Sequence, residues 1–333
     1  MLTTATAVLQ PITPSWGIGD PAAVVAAFRA RDRRALAHAV TELERLAPGA
    51  PALLAAMQPH LGGALVVGIT GPPGAGKSTL VNALISHWRQ SRQRVAVVAV
   101  DPSSPVSGGA ILGDRIRMTA ALDDPDVYVR SLSSSGYLGG LSPAAVRIVD
   151  VLDAAAFDLV LLETVGTGQN EIDVAEVADV RVVVSAPGLG DDIQAMKSGL
   201  LEIADILVVN KGDNDAAERT LHQLKGALSI RSGASARVPV LKTTATSGDG
   251  VPALADAIAA AGAIAHRAPL TDRRRRRARY LIARAASDLV TEQIRSGGAS
   301  GIDALADEVL SGYTDPRAVA VRLLTRVSDR AQR

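Results

Sequence analysis

The 333-residue chain contains no cysteine. That excludes disulfides and thiolate metal sites, and it fits a reducing compartment. It also lacks an excess of either charge, because 35 Lys and Arg stand against 34 Asp and Glu for a formal net charge of +1. No global electrostatic footprint for nucleic acid or an anionic membrane follows from such a balance. No window approaches the ~18 unbroken apolar residues of a membrane span. The start MLTTATAVLQPITPSWGIGDP has neither the basic head nor the apolar stretch of a secretory signal. A soluble cytoplasmic protein with no nucleic-acid and no membrane partner is therefore expected. What the chain does have is apolar content, 47% of its residues, enough for one large α/β domain with helical additions or for two domains.

Periodicity organises that content. From about 22 to 59, apolar residues recur three and four apart, with a Pro/Gly break after Leu46, which predicts one or two helices. From 64 to about 262, the runs ALVVGIT, RVAVVAVD, DVYVRS, FDLVLLE, VRVVVSA, DILVVN and VPVLKT alternate with segments long enough for crossovers. Short Val/Ile/Leu-rich runs so spaced predict an α/β fold, a mostly parallel sheet with helices on both faces. From 270 onward the pattern is helical, with Leu281, Ala285 and Leu289 on one face beside Ile282 and Ala286.

The segment GPPGAGKST, 71 to 79, lies between the first of these runs and a helical one. Gly71, Gly76, Lys77 and Ser78 match G-x-x-x-x-G-K-[ST] in the strand-to-helix context that a phosphate-binding loop requires. Glycines let backbone N–H groups turn inward around phosphate, and the following helix points its positive end at the same oxygens. The nucleotide-binding candidates here are Gly71, Pro72, Pro73, Gly74, Ala75, Gly76, Lys77, Ser78 and Thr79. Lys77 would neutralise the β- and γ-phosphates, and Ser78 would give its hydroxyl to Mg²⁺. The fold expected is that of a P-loop NTPase.

The base is read further on. NKGD, 210 to 213, follows the strand DILVVN at the carboxyl edge, where open α/β sheets bind ligands. Asp213 can accept from N1–H and the N2 amino group of guanine, whereas adenine would leave the carboxylate unpaired, a mismatch worth roughly 10⁴-fold. The stem of Lys211 would lie along the ring and Asn210 would tie the base loop to the phosphate loop. In KTTATSGDG, Ala245 would present its N–H to guanine O6, and Thr244 stands where small GTPases usually carry Ser.

Hydrolysis needs a metal and a polarised water. In ETVGTGQ, 163 to 169, the E-x-x-G spacing puts Glu163 on the Mg²⁺ side and the Gly166 N–H toward the γ-phosphate. Asp101 ends the strand RVAVVAVD, and Asp114 follows in a Ser/Gly/Pro-rich stretch. Either these acids belong to a loop that closes on the γ-phosphate and Mg²⁺, or they are turn and helix-cap residues. Thr167 follows Gly166 where small GTPases have a water-orienting Gln, and Gln169 comes two later, so slow intrinsic turnover completed by a partner is expected.

GPPGAGKST, DPSSPVSGGAILGDRIRM, SSGYLGGLS, ETVGTGQNE, APGLGDDIQAMKSGLLEIAD and NKGD together resemble the MeaB-type GTPases, the methylmalonyl-CoA mutase-associated G-proteins once labelled ArgK-like transport kinases. The resemblance runs over nearly the whole chain. It implies a homodimeric chaperone that couples GTP binding and hydrolysis to GDP with loading of adenosylcobalamin into an acyl-CoA mutase, and with protection of that enzyme. It implies three parts: an N-terminal helical extension, 1–60, a P-loop GTPase domain, 61–265, and a C-terminal helical dimerisation region, 266–333. It makes Lys77, Asp101, Asp114 and Glu163 catalytic, places Ser78, Asp101 and Glu163 at Mg²⁺, and marks Asp191 and Lys197 in GDDIQAMK as coupling to the mutase. The chain lacks D-x-H-x-x-G, so the cobalamin would be carried by the partner.

Two rivals share the phosphate loop. A GTP-dependent metallochaperone would need a metal-handling cluster, yet His38, His60, His87, His222 and His266 are scattered. An ATP-dependent transport kinase would have no use for Asp213. The run RRRRRAR, 273 to 279, is either a contact for phosphate or CoA or a solvated face or oligomer contact.

Overall fold

The computed structural model describes residues 20–101, 124–133, 141–164, 173–188, 199–229, 238–295, 302–312 and 314–331. The chain forms two compact units that divide between Arg274 and Arg275. The first unit opens with helices α1 (Pro21–Arg29), α2 (Arg33–Arg45) and α3 (Ala50–Met57). That is one more than the periodicity predicts. The break after Leu46 is present, with Leu46 itself in the left-handed region at φ 50°, but a second break precedes it. Arg31 turns left-handed at φ 71°, and the Asp32 carboxylate then caps α2 by accepting the N–H groups of Arg34 and Ala35.

All seven apolar runs become strands of one sheet: β1 (Leu65–Thr70), β2 (Val95–Asp101), β3 (Val127–Ser133), β4 (Leu159–Thr164), β5 (Val180–Ser185), β6 (Ile206–Val209) and β7 (Val240–Lys242). Their order is β3-β2-β4-β1-β5-β6-β7, and every neighbouring pair is parallel. Helices α4 (Lys77–Gln90), α5 (Pro143–Ala154), α6 (Val174–Val177), α7 (Leu200–Ile203), α8 (Ala217–Ser229) and α9 (Val251–Ala265) connect or follow these strands. The runs read as nearly continuous apolar stretches because both sheet faces are covered. On one face Val67, Ile69, Leu161, Val182 and Val184 pack with Leu80, Leu84 and Trp88 of α4 and with Leu254 and Ile258 of α9. On the other, Val183, Leu207 and Val209 pack with Leu200 and Leu201 of α7 and with Leu224 and Leu228 of α8.

The amino edge of the sheet is held by carboxylates that accept N–H groups at strand entries, where no ladder partner reaches. Asp153, buried in α5, accepts from Gly62 at 2.6 Å and Ala64 at 2.9 Å. Asp158 accepts from Arg94 at 2.7 Å, Asp179 from Val66 at 3.1 Å and Asp205 from Arg181 at 2.8 Å. The N-terminal helices join this rim where Arg29 donates to the Ala154 carbonyl at 2.8 Å; away from it, Arg147 donates to the Leu43 carbonyl at 2.8 Å and Arg130, in mid-β3, pairs with Glu44. Part of the arginine run is used in the same way. Arg273 lies 3.4 Å from the buried Asp179 carboxylate, and Arg274 bonds the Gln58 side chain.

Helix α10 (Leu270–Arg295) continues into the second unit, which also holds α11 (Ile302–Leu310) and α12 (Pro316–Ala331). Arg322 of α12 pairs with Glu308 of α11, while Ile282, Leu289, Leu310, Val321 and Leu324 are exposed. Among the described residues, no helix is long and apolar enough to cross a membrane.

One rim pair gives a pH prediction. Arg89 Nε donates to Asp124 Oδ2 at 2.7 Å and its Nη2 to Asp124 Oδ1 at 3.1 Å. This hydrogen bonding, more than the accompanying N–H of Asp126 and the plain charge attraction, holds the Asp124 carboxyl below its usual range. A carboxyl depressed by folding stabilises the native state fully above its unfolded value of about 4, and the contribution disappears as pH falls through the lower folded value. Asp124→Asn should therefore lower the thermal midpoint at neutral pH. Melts recorded down to pH 2 should show its gap from the parent closing only below about pH 4.

Candidate functional site

Every candidate residue that the structure describes lies at the carboxyl edge, opposite the rim. β1 ends at Thr70 and the chain turns through 71–76 into α4. Gly71 has φ 136°. A Cβ there would overlap the Val184 carbonyl oxygen of β5, so the loop's first glycine is demanded by strand packing as well as by its dihedral. Gly76 has φ 86°, and a Cβ on it would stand 2.5 Å from Asn210 Nδ2. Gly74, with φ 76°, faces open space.

Lys77 is buried, and its Nζ donates to the carbonyls of Gly71 at 2.7 Å and Pro72 at 3.0 Å, so the ammonium spans the loop it follows. Ser78 Oγ donates to Glu163 Oε1 at 2.6 Å. Glu163 stands opposite Ile69 in the parallel register and is only 4% exposed. One residue further along, Thr164 Oγ1 donates to Thr70 Oγ1 at 3.0 Å, stitching the ends of β4 and β1. A buried carboxylate beside a serine hydroxyl is an oxygen donor set suited to a small hard cation such as Mg²⁺. Asp101 ends β2, whose Ala99 is in register with Glu163, so its backbone reaches the same edge.

On the other side of β1, the chain leaves β6 into the base loop. Asn210 is 2% exposed and joins three segments. Its N–H donates to the Ser185 carbonyl at 2.8 Å, and its Nδ2 donates to the Ala75 carbonyl in the phosphate loop at 3.0 Å. Its Oδ1 accepts from Thr243 Oγ1 at 3.2 Å and from the Ala245 N–H at 3.1 Å. The Ala245 N–H, expected from sequence to face guanine O6, is thus directed at Asn210. Lys211 is left-handed at φ 56° and exposed, Gly212 N–H donates to the Thr243 carbonyl at 2.9 Å, and Asp213 is exposed. Thr244 is bridged to Asp249 across the turn that follows β7.

The structure therefore brings together the phosphate loop, Glu163, Asn210, Lys211, Asp213, Thr244 and Ala245. Asp114, Gly166, Gln169, Asp191 and Lys197 lie outside the described residues. Sequence reasoning missed two side chains at the base loop. Lys242, the last residue of β7, pairs with Glu218 in the first turn of α8, and its ammonium holds that exposed carboxyl below the usual range. No local spacing rule links residues 24 apart.

Comparison with known proteins gives the family. The family model for the methylmalonyl-CoA mutase-associated GTPase MeaB matches residues 36–299. A Pyrococcus abyssi protein that carries the name of a GTPase is 47% identical over 231 residues, covering 68% of this chain and 71% of that one. The mouse methylmalonic aciduria type A homolog, mitochondrial, is 38% identical over 190 residues, 56% of this chain and 46% of its own. The solved structure of an LAO/AO transport system kinase superposes with a TM-score of 0.71 at 26% identity, covering 94% of this chain and 99% of that one.

The glycines separate two costs. Gly71→Ala sets a methyl group against the immovable β5 backbone, so it should destabilise the nucleotide-free protein by several kcal/mol, of order 3 or more. Gly74→Ala meets no atom and should cost only the left-handed conformation, about 1–2 kcal/mol. Urea denaturation of the two variants without nucleotide measures the difference.

Proposed function

The chain belongs to the MeaB family of methylmalonyl-CoA mutase-associated GTPases, and from that membership and the geometry above we propose that it is a G-protein chaperone which gates adenosylcobalamin loading into an acyl-CoA mutase and protects that enzyme. The observation that carries the reading is the junction at Asn210, which binds phosphate loop and guanine loop into one site. GTP places its phosphates along residues 71–79 and its base against Lys211 and Asp213, with Thr244 and Ala245 closing the far side. Lys77 exchanges the carbonyls of Gly71 and Pro72 for β- and γ-phosphate oxygens. Ser78, Glu163 and Asp101 would hold a Mg²⁺ ion, which supplies charge neutralisation across those phosphates. Asp114 and the Gly166 N–H are assigned to the γ-phosphate side, where attacking water is oriented.

Asp191 and Lys197 are assigned to mutase contact. They follow β5, whose Val184 packs on Gly71 and whose Ser185 carbonyl holds Asn210, so the segment springs from a strand touching both nucleotide loops. The exposed apolar side chains of the second unit, Ile282, Leu289, Leu310, Val321 and Leu324, support a symmetric homodimer contact. We place the protein in the cytoplasm, with the adenosylcobalamin carried by the mutase.

A transport kinase using ATP is the competing reading, since the superposable solved structure carries that name. Competition separates the two: GTP should displace bound fluorescent GDP at least ~10³-fold more effectively than ATP, and equal displacement would overturn guanine reading. Single-turnover hydrolysis should fall at least ~10²-fold in Lys77→Ala, because transition-state charge on the γ-phosphate loses its cation. Equal rates would end the enzymatic reading.

Coupling to the mutase must be reciprocal, because both ligands act on one equilibrium. A non-hydrolysable GTP analogue should change mutase affinity by the factor, about 5- to 150-fold, by which the mutase changes affinity for that analogue. Calorimetric titrations in both orders check this equality.

A further inference from the structure

Asp213 is exposed, unlike Asn210 beside it, so burial does not aim its carboxylate at the base. Loop geometry has to do so. The Gly212 N–H is fixed to the Thr243 carbonyl at 2.9 Å. A Cβ on Gly212 would stand 2.8 Å from Lys242 Cγ, 3.1 Å from the Thr243 carbonyl oxygen and 3.1 Å from Thr244 Oγ1. The peptide just before Asp213 therefore rests on three walls, and the nearest is the aliphatic stem of a lysine. Such a stem is ordinarily free to change rotamer. Here its ammonium is held by Glu218, and Glu218 stands at the start of α8, whose Ala217, Leu224 and Leu228 are buried against the sheet.

We propose that Lys242 is a positioning residue for guanine selection: its stem is the wall that seats Gly212 and so aims Asp213, and Glu218 keeps that stem across the loop. The inference rests on guanine reading by Asp213. The Lys242 and Glu218 side chains are 42% and 58% exposed, so the ion pair adds little to stability, and its effect is to restrict the stem. The loop needs that support from outside, because Lys211 holds a left-handed conformation unfavourable for a side-chain-bearing residue. The consequence falls on the contact that Asp213 makes with the guanine N2 amino group, which inosine nucleotides lack.

The test uses the full chain with Mg²⁺ and measures release of fluorescent GDP and IDP, with steady-state hydrolysis of GTP and ITP alongside. Lys242→Ala should speed GDP release roughly 5- to 20-fold and IDP release far less, shrinking the preference for GDP, with the loss in hydrolysis falling on KM more than on kcat. Lys242→Met and Glu218→Gln keep the stem but free its end, so each should speed GDP release less than Lys242→Ala does, about 2- to 4-fold, with the same bias toward GDP over IDP. Gly212→Ala supplies an independent reading. Its defect should be smaller in the Lys242→Ala background, where Cγ is gone, giving a non-additive double-mutant cycle.

Equal acceleration of GDP and IDP release in Lys242→Ala, or no acceleration of either, overturns the role of Lys242, as does strict additivity of the Gly212 and Lys242 changes. A parent protein that holds ADP as firmly as GDP overturns guanine reading itself, and this inference with it.

Discussion

The side chain of Asn210 is the constraint on which the site depends. A carboxamide carries donors and an acceptor on one planar group, and this one spends its NH₂ on the Ala75 carbonyl and its oxygen on Thr243 Oγ1 and the Ala245 N–H. Aspartate could not donate to the carbonyl, and leucine would leave the partners in two segments, Ala75 on one side and Thr243 and Ala245 on the other, without this side chain. Because Asn210 is almost wholly buried, its bonds form in a poorly screened environment, and each fixes the position of the others. Gly76 answers the same demand from the opposite side, since any Cβ there would displace the amide nitrogen. The 71–76 loop and the loop after β7 are thus two ends of one hydrogen-bonded junction.

Strand β5 gives that junction its seat. Its Val184 carbonyl occupies the space a side chain on Gly71 would need, and its Ser185 carbonyl accepts the Asn210 N–H. One strand end thereby touches the beginning of the phosphate loop and the beginning of the base loop. β1 and β5 are neighbours in the sheet and β6 follows β5, so the order of parallel strands brings segments about 140 residues apart in sequence into one cluster. The hydroxyl pair Thr70 and Thr164 performs the corresponding service toward β4, where Glu163 meets Ser78.

Much of this was legible in the sequence, for identifiable reasons. The seven strands were readable because burial on both faces forces unbroken Val/Ile/Leu runs, and the turn at 71–76 was readable because its left-handed positions require glycine. The division of the N-terminal segment at Arg31 and Asp32 was not legible, since Arg31 adopts a left-handed conformation without the glycine that usually signals it. The carboxylates at strand entries, Asp153, Asp158, Asp179 and Asp205, were invisible for another reason. Each is recognised only by the N–H it faces, and Asp153 and Gly62 are 91 residues apart. Lys242 and Glu218 escaped likewise, because an exposed lysine and glutamate resemble any solvated pair until Gly212 is seen to lie against the lysine stem. The arginine run had two readings in sequence, ligand contact or solvated face. Arg273 and Arg274 follow neither, as they bond Asp179 and Gln58 within the first unit.

These contacts divide the sheet into two edges with different physical tasks. At the amino edge, strand entries expose N–H groups without ladder partners, and acids satisfy them while arginines neutralise the acids, so charge there is spent inside the fold. At the carboxyl edge the chain leaves the strands through loops that carry left-handed glycines, Gly71, Gly74 and Gly76, and charged side chains, Lys77, Glu163, Lys211 and Asp213 among them. A parallel sheet produces this separation by itself, because every strand enters at one edge and leaves at the other. Binding energy from the nucleotide consequently acts on loops already tied to one another through Asn210 and β5, while the rim beneath them holds the strands fixed. Among the described residues, the end of β5 meets Gly71 through the Val184 carbonyl and Asn210 through that of Ser185, so one short stretch of backbone supports both loops.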